Sequence, residues 1–76
     1  MVSKIKGTRD YIDVTIDGRV VRIDGEMVLG GFVAYSDTIN RWLIPPEQPI
    51  SDIEKRDIIE QLIAKTKNSH MVITFE

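Results

Sequence analysis

Cysteine is absent from this sequence, so disulfides and thiolate metal sites are excluded and the fold must rest on apolar packing. Histidine occurs once, at His70, which leaves no second imidazole for a triad or a histidine-rich metal site. No apolar run approaches the roughly 18 residues of a membrane span. The opening stretch, MVSKIKGTRD, lacks the apolar segment of a signal peptide. A dominance of one charge is missing too. Net charge is −2, and residues 1–40 and 41–76 each carry five Lys/Arg against six Asp/Glu, so no large positive field is available for phosphate groups. A phosphate-cradling loop is also lacking, because Gly30-Gly31 sits inside an apolar run rather than ahead of a helix start. What remains is enough for a core. The 76 residues are 42% hydrophobic and 29% charged, which fits a single domain spanning 1–76 and a cytoplasmic protein.

Met1 to Arg9 is short, basic and interrupted by Gly7, and reads as a frayed end in preference to an edge strand through Ile5. From Tyr11 the pattern is clear. Ile12, Val14 and Ile16 alternate with Tyr11, Asp13 and Thr15, the period of a strand with one buried face. Asp17-Gly18 supplies the positive φ angles of a two-residue type I′ turn. Closing a hairpin there sets Ile16 opposite Arg19, Val14 opposite Val21 and Ile12 opposite Ile23 on one face. On the other face Asp13 meets Arg22 and Thr15 meets Val20. Asp24-Gly25 repeats the turn chemistry and predicts a second hairpin, which would bring Val28 to the core. Gly30-Gly31 then reads as a bulge within a strand, with Val33 and Tyr35 preferred over Phe32 and Ala34 as the inward pair. Ser36-Asp37 reads as a turn, and Thr38 to Ile44 as a fourth strand ended by Pro45-Pro46.

Ser51-Asp52-Ile53-Glu54 is a capping box, and predicts a helix from Asp52 to about Lys67 with Ile58, Ile59, Leu62 and Ile63 as its stripe and Asn68 as an αL stop. Ile53 falls off that stripe. His70 to Glu76 completes the chain as a strand. The expected class is therefore α+β: a two-layer sandwich in which an antiparallel sheet of four to five strands, order β-β-β-β-α-β, carries one amphipathic helix on one face. The other face is expected to present Asp13, Thr15, Val20, Arg22 and Met27, with Tyr11 nearby.

The chemistry-bearing residues do not assemble into a catalytic pattern. Asp17 and Asp24 are assigned to turns, Asp52 and Glu54 to the helix cap, and Asp57 and Glu60 to the solvent side of the helix. A catalytic carboxylate needs burial or close pairing to shift its pKa. No cofactor, no metal site and no enzymatic activity is expected. Two binding readings remain from the residues. An open sheet face with Tyr11, Arg19 and Arg22 resembles a platform for single-stranded nucleic acid, although the near-neutral charge opposes it. Exposed sheet edges also permit a homodimer. Trp42 either seals the end of the core beneath the helix or stands exposed as an interface anchor.

Val21-Arg22-Ile23-Asp24-Gly25-Glu26-Met27, then Gly30-Gly31-Phe32-Val33-Ala34-Tyr35, then Ile39, Arg41-Trp42 and Pro45-Pro46, then Pro49-Ile50-Ser51 before an Ile-rich helix, together resemble the bacterial immunity protein 74 family. The resemblance runs from about Ile12 to Phe75. It implies a small protein that binds a cognate polymorphic toxin and neutralises it stoichiometrically. Many such toxins are nucleases with basic clefts, which Asp37, Glu47, Asp57 and Glu60 would complement. Under that resemblance the contact candidates are Tyr35, Arg41, Trp42 and Glu47, on loops held by a rigid frame.

Overall fold

The computed structural model describes all residues, Met1–Glu76. Five strands form one sheet in the sequential order β1 (Val2–Gly7), β2 (Tyr11–Ile16), β3 (Arg19–Val28), β4 (Gly31–Ala34) and β5 (Val72–Phe75). A single 3₁₀ turn, Ser36–Thr38, follows β4, and the helix α1 (Asp52–Thr66) precedes β5. The class is α+β and the order β-β-β-β-α-β, as the alternation predicts, but the members differ. Met1 to Arg9 is not frayed: Val2–Gly7 pairs antiparallel with β2, and Val2 is buried in the core. Thr38 to Ile44 is not a strand and contributes only the bridge Val20↔Ile44. The sheet is mixed rather than antiparallel, since the passage through α1 returns β5 parallel to β4.

The β2–β3 hairpin has the register its turn dictates, with Ile16 opposite Arg19, Val14 opposite Val21, Asp13 opposite Arg22 and Ile12 opposite Ile23. Asp17 (φ 50°) and Gly18 (φ 81°) are both left-handed, the requirement of a type I′ turn. Asp24-Gly25 makes no turn. β3 continues through it, and Gly25 lies opposite Ala34 with the Phe32 ring and the Val33 carbonyl where a Cβ would stand. The chain reverses instead at Leu29-Gly30, with Gly30 at φ 78° and Val28 opposite Gly31. Alternation is therefore unbroken along β3: Val21, Ile23 and Met27 share the core side, whereas Val28 points outward and is 44% exposed. Met27, expected on the open face, stands on the core side at the sheet's end. Phe32 and Ala34, opposite Met27 and Gly25, are buried in place of Val33 and Tyr35. No bulge intervenes at Gly30-Gly31.

The core gathers Ile12, Val14, Ile16, Val21, Ile23, Phe32, Ala34, Ile39, Trp42 and Ile73 against Ile58 and Leu62 of α1. Each such aliphatic side chain contributes about 1.5–3 kcal/mol by leaving water. The helix begins at the capping box: Glu54 N–H donates to Ser51 Oγ (3.1 Å) and Ser51 N–H to Glu54 Oε1 (3.0 Å). Its buried line is Ile58, Leu62 and Thr66, with Ile59 half-buried and Ile63 exposed at the margin. Ile53 is 82% exposed. The helix ends at Lys67 in right-handed geometry, and Asn68 is not left-handed.

Helix and sheet are joined at both edges. Val2 N–H of β1 donates to Gln61 Oε1 (2.9 Å), and Ile73 N–H of β5 donates to Thr66 Oγ1 (3.1 Å). One helix meets both edge strands only because the sheet curls into a half-barrel around it. These same bonds occupy edge donors, and β1 carries an irregular register at Ser3 with Lys4 and Lys6 beyond it. Both are recognised ways of blunting an edge against strand addition.

Candidate functional site

β3 has ten residues and β4 only four, so the edge of β3 from Val20 to Asp24 has no neighbouring strand. The connector between β4 and α1, residues 35–51, covers its two ends. Val20 N–H donates to Ile44 O (2.9 Å) and Leu43 N–H donates to Val20 O (2.8 Å). Farther along, Asp24 N–H donates to Thr38 Oγ1 (3.0 Å) and Tyr35 N–H to Asp24 O (2.8 Å). Arg22 lies between these covers, and alternation turns its backbone N–H and C=O the same way, into the gap. Trp42 N–H donates to Gln48 O (2.8 Å) and Ile50 N–H to Asn40 O (2.9 Å), closing the connector into a loop. Leu43 to Pro49 project from it, with Glu47 in the left-handed region at φ 63°.

The result is a shallow concavity of about 340 Å³ lined by Arg22, Asp24, Thr38, Arg41, Trp42 and Glu47 among others. Three of the four contact candidates from the sequence thus meet in one place. Tyr35 does not line it. It is half-buried at the end of β4, and its carbonyl accepts from Thr38 Oγ1 (2.7 Å), so it supports the wall from behind. Arg22, Asp24 and Thr38 were not among the candidates. The sequence signal for them was alternation running on through Asp24-Gly25, which the turn-like dipeptide masked.

Trp42 is 2% exposed and seals the core; it is not a free-standing anchor. Arg19 stacks on its ring, 4.1 Å from guanidinium carbon to centroid, and also reaches Glu54 Oε2 at 3.1 Å. Hairpin, tryptophan and helix start are tied together at that point. The indole Nε1 is buried without an acceptor, at a cost of about 1–3 kcal/mol. Glu54 is held below the usual carboxylate range, first by the Ser51 backbone N–H and then by Arg19. On the open face Arg22 makes two bonds to Asp13 (2.8 and 3.0 Å) and lies 3.9 Å over the Tyr11 ring. That pairing raises the Arg22 pKa, chiefly through the bond to Asp13. The face that would stack nucleobases therefore has its aromatic ring capped by its own arginine.

A family model described as Immunity protein 74 matches residues 4–76. The chain belongs to that family. Every strand and the helix fall within the match, apart from the first two residues of β1. Comparison with curated proteins and with solved structures finds no match. The family's name assigns an immunity role, which makes the distribution of surface charge the next question. The four acids expected to complement a basic cleft do not converge on this immunity protein. Glu47 borders the concavity, Asp37 lies in the 3₁₀ turn, and Asp57 is held by Gln61 (2.8 Å) on the helix. Glu60 borders a separate depression shared with Lys55 and Arg56. No group of three or more His, Asp or Glu side chains stands close enough to hold a metal ion.

Proposed function

We propose that this protein neutralises a cognate toxin domain by stoichiometric binding, without catalysis, inside the cell that makes both. The family match over residues 4–76 carries this reading. The geometry supports it in a second way. A rigid sheet holds a loop, Leu43 to Pro49, beside an unpaired backbone edge, and such loops on firm frames are where recognition residues collect. Arg41 and Glu47 offer a cation and an anion at the rim of the concavity, and Tyr35 lies behind its wall. Trp42 acts as its floor and contributes rigidity rather than a projecting anchor. No helix is long and apolar enough to cross a membrane. A protein partner is favoured over nucleic acid, because Arg22 and Arg19 are already engaged by Asp13, Tyr11, Glu54 and Trp42.

Co-expression with the neighbouring open reading frame, which the immunity reading expects to encode the toxin, tests the proposal. Cells carrying both are expected to grow, and cells carrying the toxin alone are expected to die. Replacing Arg41 and Glu47 together by alanine is expected to weaken protection while leaving the thermal melt unchanged, since both side chains are exposed. A toxin that stays lethal beside the wild-type protein overturns the reading.

A further inference from the structure

Ten large apolar side chains are exposed, and five of them lie at one end of the sheet: Met27, Val28 and Leu29 around the β3–β4 reversal, and Met71 and Val72 entering β5. Register explains the grouping. Val28 and Val72 both face Gly31, which has no side chain to separate them, and Met27 faces Phe32, which faces Ile73. Leu29 is 104% exposed at the tip of a two-residue turn in which only Gly30 has a positive φ. That turn asks nothing apolar of its first position, where proline is favoured for its φ and not for burial. Leu29 therefore serves no local folding need. Residues 27–36 contain no charged side chain in a chain that is 29% charged.

Beside this tip runs a groove of about 450 Å³ whose apolar lining is Ile5, Ile12, Met27, Met71 and Ile73. Its only ionisable liners are Lys65 and His70, and no carboxylate borders it. Apolar walls with Lys65 as the one fixed charge at the margin select for an apolar group accompanied by negative charge. Methionine walls also adapt their shape to an incoming side chain.

We propose that the hairpin tip and this groove form a docking surface for the toxin partner, occupied by a segment that places a large apolar side chain beside carboxylates. This rests on the immunity reading above. The apolar residue fills the space between Met27 and Met71, Leu29 at the tip covers its flank, and a carboxylate pairs with Lys65. The burial supplies affinity, and the charge pair supplies orientation and encounter rate. The surface is separate from the concavity at Arg41 and Glu47, so the two contribute independently.

The test is calorimetric titration of the protein with the toxin domain that the immunity reading expects the neighbouring open reading frame to encode, for wild type, Leu29→Asp and Lys65→Glu. Both side chains are exposed, so both variants are expected to melt with the wild type. Each is expected to raise Kd at least about tenfold. Raising salt from about 50 to about 500 mM is expected to weaken the wild type and to strengthen Lys65→Glu, whose reversed charge repels the carboxylate. If Leu29→Asp fails to fold, Lys65→Glu and the salt series decide. Affinities within about twofold of wild type for every folded variant overturn the surface while leaving the immunity reading intact. A wild type that does not bind the toxin overturns both. Sedimentation showing a wild-type dimer that Leu29→Asp dissociates assigns the patch to self-association and overturns the proposal.

Discussion

Gly18 follows an aspartate at a hairpin tip with φ 81°, and no heavy atom stands within 4 Å of where its Cβ would lie. Gly25 also follows an aspartate, yet it lies in mid-strand with the Phe32 ring and the Val33 carbonyl against it. The first glycine is present for its backbone freedom and the second for its lack of volume. Their alanine variants separate these roles. Gly18→Ala is expected to cost about 1–2 kcal/mol, the penalty of a left-handed L-residue. Gly25→Ala is expected to cost about 3 kcal/mol, because the backbone oxygen on its far side has no rotamer in which to retreat. Urea denaturation midpoints of the two variants measure the difference, and the opposite ranking would contradict the β3–β4 register. In the sequence the two dipeptides are alike, which is why the Asp24-Gly25 reversal was expected. Only Phe32 and Val33, brought across from the next strand, distinguish them.

The helix shows how a local signal becomes a tertiary one. Its start was legible in Ser51-Asp52-Ile53-Glu54, since a capping box needs only residues three apart. What the box also does was not legible: Glu54 reaches Arg19, which covers Trp42. Glu54 has a folded-state pKa below its ordinary value, so it binds its proton less readily in the native state. The stability it adds is present above its ordinary titration range and is lost as pH falls through the depressed folded value. Melting temperature followed from pH 7 down to about pH 3 is therefore expected to fall less steeply for Glu54→Gln than for wild type. Ser51→Ala is expected to cost about 1 kcal/mol at neutral pH. An acid limb unchanged in Glu54→Gln would show that its bonds do not persist in solution. The stripe was legible in part. Ile58, Leu62 and Thr66 are buried, but Ile63 is exposed, because the curled sheet offers the helix a narrow seat rather than a broad one.

Across the whole molecule, α1 closes the half-barrel by bonding to the first and last strands. Thr66 is central to that closure. Its hydroxyl donates to Leu62 O (2.8 Å) and accepts from Ile73 N–H (3.1 Å) while the residue is buried. Thr66→Val keeps the shape and removes the acceptor, leaving a buried edge N–H unpaired at a cost of about 1–3 kcal/mol. Thr66→Ser is expected to lose less. Hydrogen exchange at the Ile73 amide measures it directly, and slow exchange in Thr66→Val would refute the closure.

The sequence by itself determined the first hairpin with its register, the helix start, the family, and an α+β order of elements. Those depend on short-range patterns: period-two alternation, an Asp-Gly turn, a box of four residues. Tertiary structure alone decided that Met1 to Arg9 holds a strand, that β3 runs straight through Asp24-Gly25, that β5 lies parallel to β4, and that Arg41, Trp42 and Glu47 meet over the bare edge at Arg22. Each of these turns on which distant backbone fills an unpaired edge. A chain has no local means of stating that, because the energy of the pairing is shared between segments that know nothing of one another until they meet.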